Sequence, residues 1–395
     1  MTEKLYYEKP TLFSCEAKVL SCCEEGGAYR VTLDRTVIFP EGGGQPADRG
    51  TIGEVPVLDA REKDGVITHI CSAPLEVGKS YEVTLDIPRR LDHTEQHTGE
   101  HILSGLASKL FSAKNVGFHM AEDYCTIDLD RFLTPEELTL LEAEANRAVR
   151  RDLPVTAETM DHEGLSHIEI RKKSDVRSDD IRVVFIGGGE VDSCTCCGTH
   201  CERTGEVGFI RIADSQKYKS GTRLWFSCGG RAVKEAALLS SMATGLARSF
   251  STSREDLPAA VRKQSEELSQ AKRELKSRTL GLCRMIAKSE KGPVCVLVME
   301  DFSANDVKML ADCLLEENAR IALVFGRKDG VTNYRAARAE GVSLPMGELI
   351  KAVNLMLSGK GGGGPAFAQG ASKEEVTPEM LETIRNYTEK AHNGR

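Results

Sequence analysis

His97-Thr98-Gly99-Glu100-His101 and Cys196-Cys197-Gly198-Thr199-His200 lie about a hundred residues apart, and each pairs a metal-binding side chain with a histidine four residues on. On a helix that spacing puts both members of a pair on one face, and neutral imidazole and thiolate are donors that zinc prefers. Neither half closes a tetrahedral site alone. Together they offer four donors of the right type to one zinc ion, which requires a fold that brings two distant segments together. The flanks agree: His97 and His101 lead into the apolar run Ile102, Leu103, Leu106, whereas Cys196 to His200 lies between a glycine run and Thr204-Gly205.

Spacing leaves neighbours open. His93, His97 and His101 form an i, i+4, i+8 ladder, so His93/His97 is a second candidate pair, and Cys194, Cys197 and Cys201 crowd Cys196. Glu100 is a candidate catalytic base, although an ideal helix turns it about 60° away from the His97/His101 stripe, which favours a solvated glutamate. Four protein ligands would close the shell of a structural zinc, whereas a catalytic zinc keeps a position open to water.

A second constellation is Phe39-Pro40-Glu41-Gly42-Gly43-Gly44-Gln45-Pro46-Ala47-Asp48-Arg49-Gly50. Its glycines let the backbone approach a partner and Gln45 offers both donor and acceptor, so Gly43, Gly44 and Gln45 are candidate substrate contacts; a hairpin turn is the alternative. Lys217, Lys219, Arg223, Arg231 and Lys234 surround Tyr218, Trp225 and Phe226, a set able to face an RNA backbone and its terminal base, or else an ordinary solvated strand edge. Ser358-Gly359-Lys360-Gly361-Gly362-Gly363-Gly364-Pro365 lacks Walker spacing, and no Gly-x-Gly-x-x-Gly follows a strand in a βαβ unit, which argues against a nucleotide cradle. It reads as a flexible loop, with phosphate contact through backbone amides and Lys360 as the sharper alternative.

The chain has 395 residues, a formal charge of -8 and 13 cysteines. That length suits two or three domains, and the negative charge argues against a generic nucleic-acid binder without excluding a local basic track. No apolar leader or stretch of membrane-spanning length is present, so the expectation is a soluble cytoplasmic protein whose cysteines are free thiols plus one metal cluster.

The fold class expected is α+β. Residues 1–90 read as a β-rich, barrel-like domain, with runs such as Tyr29-Arg30-Val31-Thr32-Leu33 and Tyr81-Glu82-Val83-Thr84-Leu85. Residues 91–230 read as an α+β unit holding both half-sites. Residues 231–285 read as a helical hairpin: Leu239, Met242, Leu246 and Phe250 mark one helix, and Val261, Leu268, Leu275 and Leu282 repeat every seven residues on the other, leaving a homodimer seam as an option there or in the C-terminal domain. Residues 286–395 begin with a βαβ pattern and form a C-terminal α/β domain.

Four stretches together closely resemble the stand-alone alanyl-tRNA editing proteins, the AlaX family, and the editing domain of alanyl-tRNA synthetase: residues 39–50, 97–105, 192–208 and 217–223. The tail, with Gly359-Lys360-Gly361-Gly362-Gly363, Pro365 and Ala368-Gln369-Gly370, resembles the C-terminal domain shared by alanyl-tRNA synthetases and some DHH phosphoesterases, so the likeness to the long AlaX form runs almost end to end. The resemblance places Zn2+ on His97, His101, Cys196 and His200 and sets aside His93, Cys194, Cys197 and Cys201. By position it puts Gly117, Phe118 and His119 near the amino-acid pocket and Arg223 among the substrate-binding residues. It implies hydrolysis of tRNA(Ala) mischarged with serine, and sometimes glycine. The tail departs from the family, with Gly364 and Ala366 where arginine and aspartate are usual. No aminoacylation core is present, so charging activity is not expected.

Overall fold

The computed structural model describes residues 1–171 and 180–393. The chain forms two compact units, Met1–Gly245 and Leu246–Arg395, in a mixed α+β arrangement.

The first unit opens with a closed six-stranded barrel. Around its wall the strands run Ser14–Glu25, Ala28–Leu33, Val66–Cys71, Val55–Lys63, Gly50–Ile52 and Ser80–Leu85, the last pairing back onto the first. Alternation explains the closure. In Val66–Cys71 every second residue is buried, and Val31, Leu33, Ile38, Ile52, Ile67 and Val83 fill the interior. Between the second and third strands in sequence, residues 39–50 cross to the next helix and are pinned there: buried Arg90 donates to Val37 O at 2.6 Å and pairs with Asp48, whose Oδ2 also accepts from Phe39 N at 2.7 Å.

That helix, Ile87–Phe111, starts on Asp86, whose carboxylate accepts from Arg89 N, with Pro88 in the first turn where its missing N–H costs nothing. It ends on Ser112 in the left-handed conformation. Through its middle it is buried on nearly every side, which takes the histidine ladder into the interior. One four-stranded antiparallel sheet (Ile210–Tyr218, Gly221–Cys228, Cys125–Leu129, Asn115–Met120) and one three-stranded sheet (Val155–Met160, Ile181–Ile186, Asp192–Thr195) complete the unit with the helix Pro135–Arg150. Ile102 and Leu103 of the ladder helix share a core with Ile127, Leu141, Ile186 and Phe226.

Two long helices occupy the region read as a hairpin, Gly229–Ser249 and Leu257–Ser289, and the division between the compact units falls inside the first. Val261, Leu268, Leu275 and Leu282 are exposed along the second. In the second unit a βαβ start (Val294–Glu300, Ala304–Glu317, Ile321–Lys328) gives one parallel strand pair, and the sheet continues antiparallel through Val331–Arg338, Phe367–Ser372 and Lys360–Gly363. The glycine run is therefore an edge strand and not the flexible loop expected. Its glycines permit this, because a Cβ on Gly361 would stand 2.2 Å from Gln369 O and one on Gly363 would stand 2.4 Å from Ala368 Cα. Among the described residues no helix is long and apolar enough to cross a membrane.

Candidate metal centre

The ladder helix presents His97 and His101 inward on one face, and the chain leaving strand Asp192–Thr195 delivers Cys196 and His200 to the same point. One donor atom from each of the four lies within 4.8 Å of the others, with His97 Nε2 3.4 Å from Cys196 Sγ. His93, one turn earlier, is buried but stands outside this group. A second grouping, His101 with Asp192 and Cys194, is close enough for a metal, but the Asp192 oxygens are already engaged.

Two imidazoles are aimed through their far nitrogens. His97 Nδ1 donates to Gln45 Oε1 at 2.8 Å, and His101 Nδ1 donates to Asp192 Oδ2 at 2.8 Å. Each bond leaves Nε2 as the lone pair facing the shared centre. Arg171 braces Asp192 with bonds of 2.8 and 2.9 Å, one to each oxygen. Burial opposes the Asp192 charge, but His101 and Arg171 hold the carboxyl down at about 2. Burial opposes the Cys196 thiolate too, and the ring of His97, His101 and His200 outweighs it, so this thiol sits well below the usual range. His101 is pressed down by burial yet held well above its ordinary value by Glu100, Cys196 and Asp192, so a cation competes there with a proton.

His200 differs from the other two. Burial pushes it down to about 3, and both ring nitrogens are buried without a hydrogen-bonding partner, its polar neighbours being the other members of the group, Cys196, His97 and His101. A buried imidazole in that state lacks a partner that a cation supplies. Two pre-aimed nitrogens, a thiolate and an orphaned imidazole suit zinc.

His97, His101 and Cys196 line a cavity of about 950 Å³ together with Glu100, Asn115 and Arg171. Glu100 corrects the reading of a solvated side chain: it is buried, and Ser104 Oγ and Asn115 Nδ2 donate to its Oε1 at 2.5 and 2.6 Å. Its Oε2 stands 3.7 Å from His101 Nε2. The helical angle fixed only where the Cβ points; donors one turn on and from the next strand draw the carboxylate across.

The glycine motif meets the same centre. Gly43 lines the cavity. Gly44 has φ +85° and could not carry a Cβ, which would lie 2.7 Å from Phe118 Cδ1; Phe118 in turn packs 5.3 Å from the His97 ring. Gln45 is fully buried and engaged by the protein itself, its Nε2 donating to Thr199 Oγ1 at 2.9 Å while its Oε1 accepts from Thr199 N at 3.1 Å and from His97. One side chain thus ties the motif to both half-sites.

Comparison with known proteins follows this layout. Residues 181–224 match the "Threonyl and Alanyl tRNA synthetase second additional domain", and residues 291–390 match the DHHA1 domain. "Alanyl-tRNA editing protein AlaX-L" of Pyrococcus horikoshii is 32% identical, covering 98% of this chain and 99% of that protein. The chain belongs to the alanyl-tRNA editing protein family. Within the family, "Alanyl-tRNA editing protein Aarsd1" of Rattus norvegicus is 29% identical over 93% of this chain and 94% of its own. "Alanine--tRNA ligase" of Halorubrum lacusprofundi is 28% identical over 97% of this chain, which spans 44% of the ligase.

Other expected contacts of this alanyl-tRNA editing family member lie away from the cavity. Arg223 pairs with Asp128 at 2.6 and 2.7 Å and stacks 3.9 Å over Tyr218, and neither it nor Gly117 lines the pocket. A Cβ on Gly117 would face Asp128 Oδ2 at 3.2 Å. The site also uses residues that spacing did not single out. Asp192 opens the stretch 192–208 with no metal-ligand spacing to mark it, Arg171 has no sequence signal at all, and Arg182 and Tyr7 hold the Cys–His loop. Arg182 Nη1 donates to Cys196 O at 2.9 Å and Gly198 O at 3.1 Å, and the Tyr7 hydroxyl donates to Cys197 O at 2.8 Å.

Proposed function

We propose that the protein is a trans-editing deacylase that hydrolyses the ester of tRNA(Ala) mischarged with serine, with glycine as a second substrate, at a zinc held by His97, His101, Cys196 and His200. The observation that carries this reading is the convergence of four zinc-type donors, three of them on the wall of a cavity large enough for an aminoacyl end. Bound there, zinc supplies positive charge that polarises the ester carbonyl. Glu100, with Oε1 occupied by Ser104 and Asn115, keeps Oε2 toward the reacting centre, takes a proton from the water as its oxygen bonds to the ester carbon, and returns that proton to the ribose oxygen as the ester C–O bond breaks. Asn115 and Arg171 line the same cavity as polar groups for the amino acid, Gly43 forms part of its wall, Gly44 lets Phe118 pack there, Gln45 aims His97, and Gly117 and Arg223 serve the outlying nucleotide. A site that hydrogen-bonds the serine hydroxyl rejects alanine by about 10⁴-fold or more, the discrimination that a pocket shaped for alanine cannot achieve, and glycine, which also lacks the hydroxyl, is on this reading the weaker substrate.

His97→Ala and Cys196→Ala are expected to abolish release of serine from Ser-tRNA(Ala), while the unaltered protein spares Ala-tRNA(Ala). Equal hydrolysis of both esters would sink the specificity claim. Four protein ligands also suit a second reading, a tRNA-binding protein with a structural zinc and no hydrolysis. A chelator separates the two: loss of a structural zinc unfolds the first compact unit, whereas loss of a catalytic one stops hydrolysis and leaves the melting curve nearly unchanged.

A further inference from the structure

The four ligands do not share one cavity. His97, His101 and Cys196 line the cavity assigned to the aminoacyl end, whereas His200 lines a second cavity of about 260 Å³ with Thr94, Cys201, Glu95, Glu202 and Glu206. The two cavities differ in charge. In the first, Glu62, Asp64, Glu100 and Asp180 are offset by Lys4, Arg171 and Arg182, whereas among the described residues the second has Glu95, Glu202 and Glu206 and no lysine or arginine on its wall. Glu202 and Glu206 are exposed at its mouth, Glu202 held by Thr11 Oγ1 at 3.3 Å and Glu206 accepting from Glu202 N at 3.2 Å; Glu95 is half-buried further in. Beyond them stands His200, 3% exposed, with no hydrogen bond to fix either ring nitrogen.

Those two facts point the same way. Three carboxylates on a wall that carries no lysine or arginine concentrate divalent ions and repel phosphate, so this opening suits a metal and not a nucleic acid. Partners behind a ligand are worth about 10–100-fold in its hold on a metal, so the one unbraced imidazole is the ligand that yields first. We propose that the acidic cavity is the metal-exchange route of this protein: a divalent cation collects between Glu95, Glu202 and Glu206 and passes to the centre as His200 turns aside, without requiring the aminoacyl cavity to be empty. This rests on the zinc reading of the site given above.

The test is the rate of zinc uptake by the full-length chain stripped of metal, followed by stopped-flow against a chromogenic zinc chelator at low ionic strength. Glu202→Gln combined with Glu206→Gln is expected to slow uptake by about 10-fold, leaving the final stoichiometry and serine release by the fully loaded protein unchanged. Glu62→Gln combined with Asp64→Asn, on the aminoacyl cavity, is expected to leave the uptake rate unchanged, as is saturating tRNA. The route is overturned if the Glu202/Glu206 variant loads at the original rate, if the Glu62/Asp64 variant slows instead, or if tRNA blocks loading. Failure of every form to take up zinc overturns the zinc reading and this route with it, whereas uptake without any hydrolysis removes only the deacylase reading.

Discussion

The helix-borne half of the centre, His97 and His101, is aimed by side chains that arrive from elsewhere in the chain: Gln45 from the glycine motif, and Asp192 with Arg171 behind it. The loop-borne half, Cys196 and His200, is held through the main chain. Gly198 N donates to Cys196 Sγ at 3.3 Å, Arg182 and Tyr7 grip three successive carbonyls, and no side chain braces His200. The difference teaches where each half is vulnerable. The helical half is tuned by the chemistry of remote side chains, and the loop half by whether its backbone keeps one path.

Each half contains one glycine on which a neighbour rests, and substituting them gives the sharpest contrast. A Cβ on Gly198 would lie 2.1 Å from His97 Cε1, so Gly198→Ala pushes apart two ligands and is expected to lower zinc affinity by at least about 10³-fold, or about 4 kcal/mol. A Cβ on Gly99 would lie 2.1 Å from Cys228 Sγ, away from the ligands, so Gly99→Ala is expected to cost about 1–3 kcal/mol of stability as overpacking while zinc stays bound. Zinc titration alongside urea unfolding reads both. Retention of tight zinc by the Gly198 variant would break the comparison.

His93 tests the helical half by pH. Burial first, then Arg89, pushes its pKa from 6.5 to about 4. The unfolded chain therefore takes up a proton that the folded one refuses, so stability is full above pH 6.5 and is lost as pH falls toward 4, by about 3 kcal/mol in total. His69 in the barrel, pushed down to about 4 by burial, has the same sign and adds to the slope. His93→Leu, which also removes a buried Nδ1 without a partner, is expected to flatten the urea midpoint across that window by its own share. An unchanged slope would show that His93 is charged in the folded state.

Next in size is the bracing itself. Asp192→Asn keeps the shape but weakens the bond to His101 and leaves Arg171 only the more distant Glu100 carboxylate, 3.9 Å away, and zinc affinity is expected to fall by about 10–100-fold. Arg182→Ala removes bonds to two carbonyls, which a loop also held by Tyr7 and Gly198 N tolerates, and a loss below about 10-fold is expected. The reverse order in a chelator competition would mean that the loop, and not the remote carboxylate, sets the affinity.

The same contrast explains what the sequence disclosed. The ligand types and their spacing are local properties, as are the amphipathic runs behind Cys125–Leu129, Pro135–Arg150 and the ladder helix, so the half-sites and most elements were legible. Bracing is not local. Gln45 reaches Thr199 across 154 positions, and the Tyr7 hydroxyl reaches Cys197 O across 190. No period or motif encodes which distant side chain fills such a gap. Glu100 misled for a related reason: helical geometry gives the direction of its Cβ, while Ser104 and Asn115 decide where its carboxylate ends.

Arg223 gives the smallest effect and bounds the site from outside. Its guanidinium pairs with Asp128 and covers Tyr218 on a sheet face that does not line the metal cavity. A partly exposed pair of this kind contributes about 1 kcal/mol or less to stability, so Arg223→Ala is expected to leave folding and zinc affinity almost unchanged. If the residue serves the tRNA, KM for Ser-tRNA(Ala) rises a few-fold at constant kcat, and the dependence of log affinity on log salt becomes shallower by about one phosphate contact. A fall in kcat with KM untouched would instead couple this sheet to the metal centre, and the division between a braced core and an outlying RNA contact would have to be redrawn.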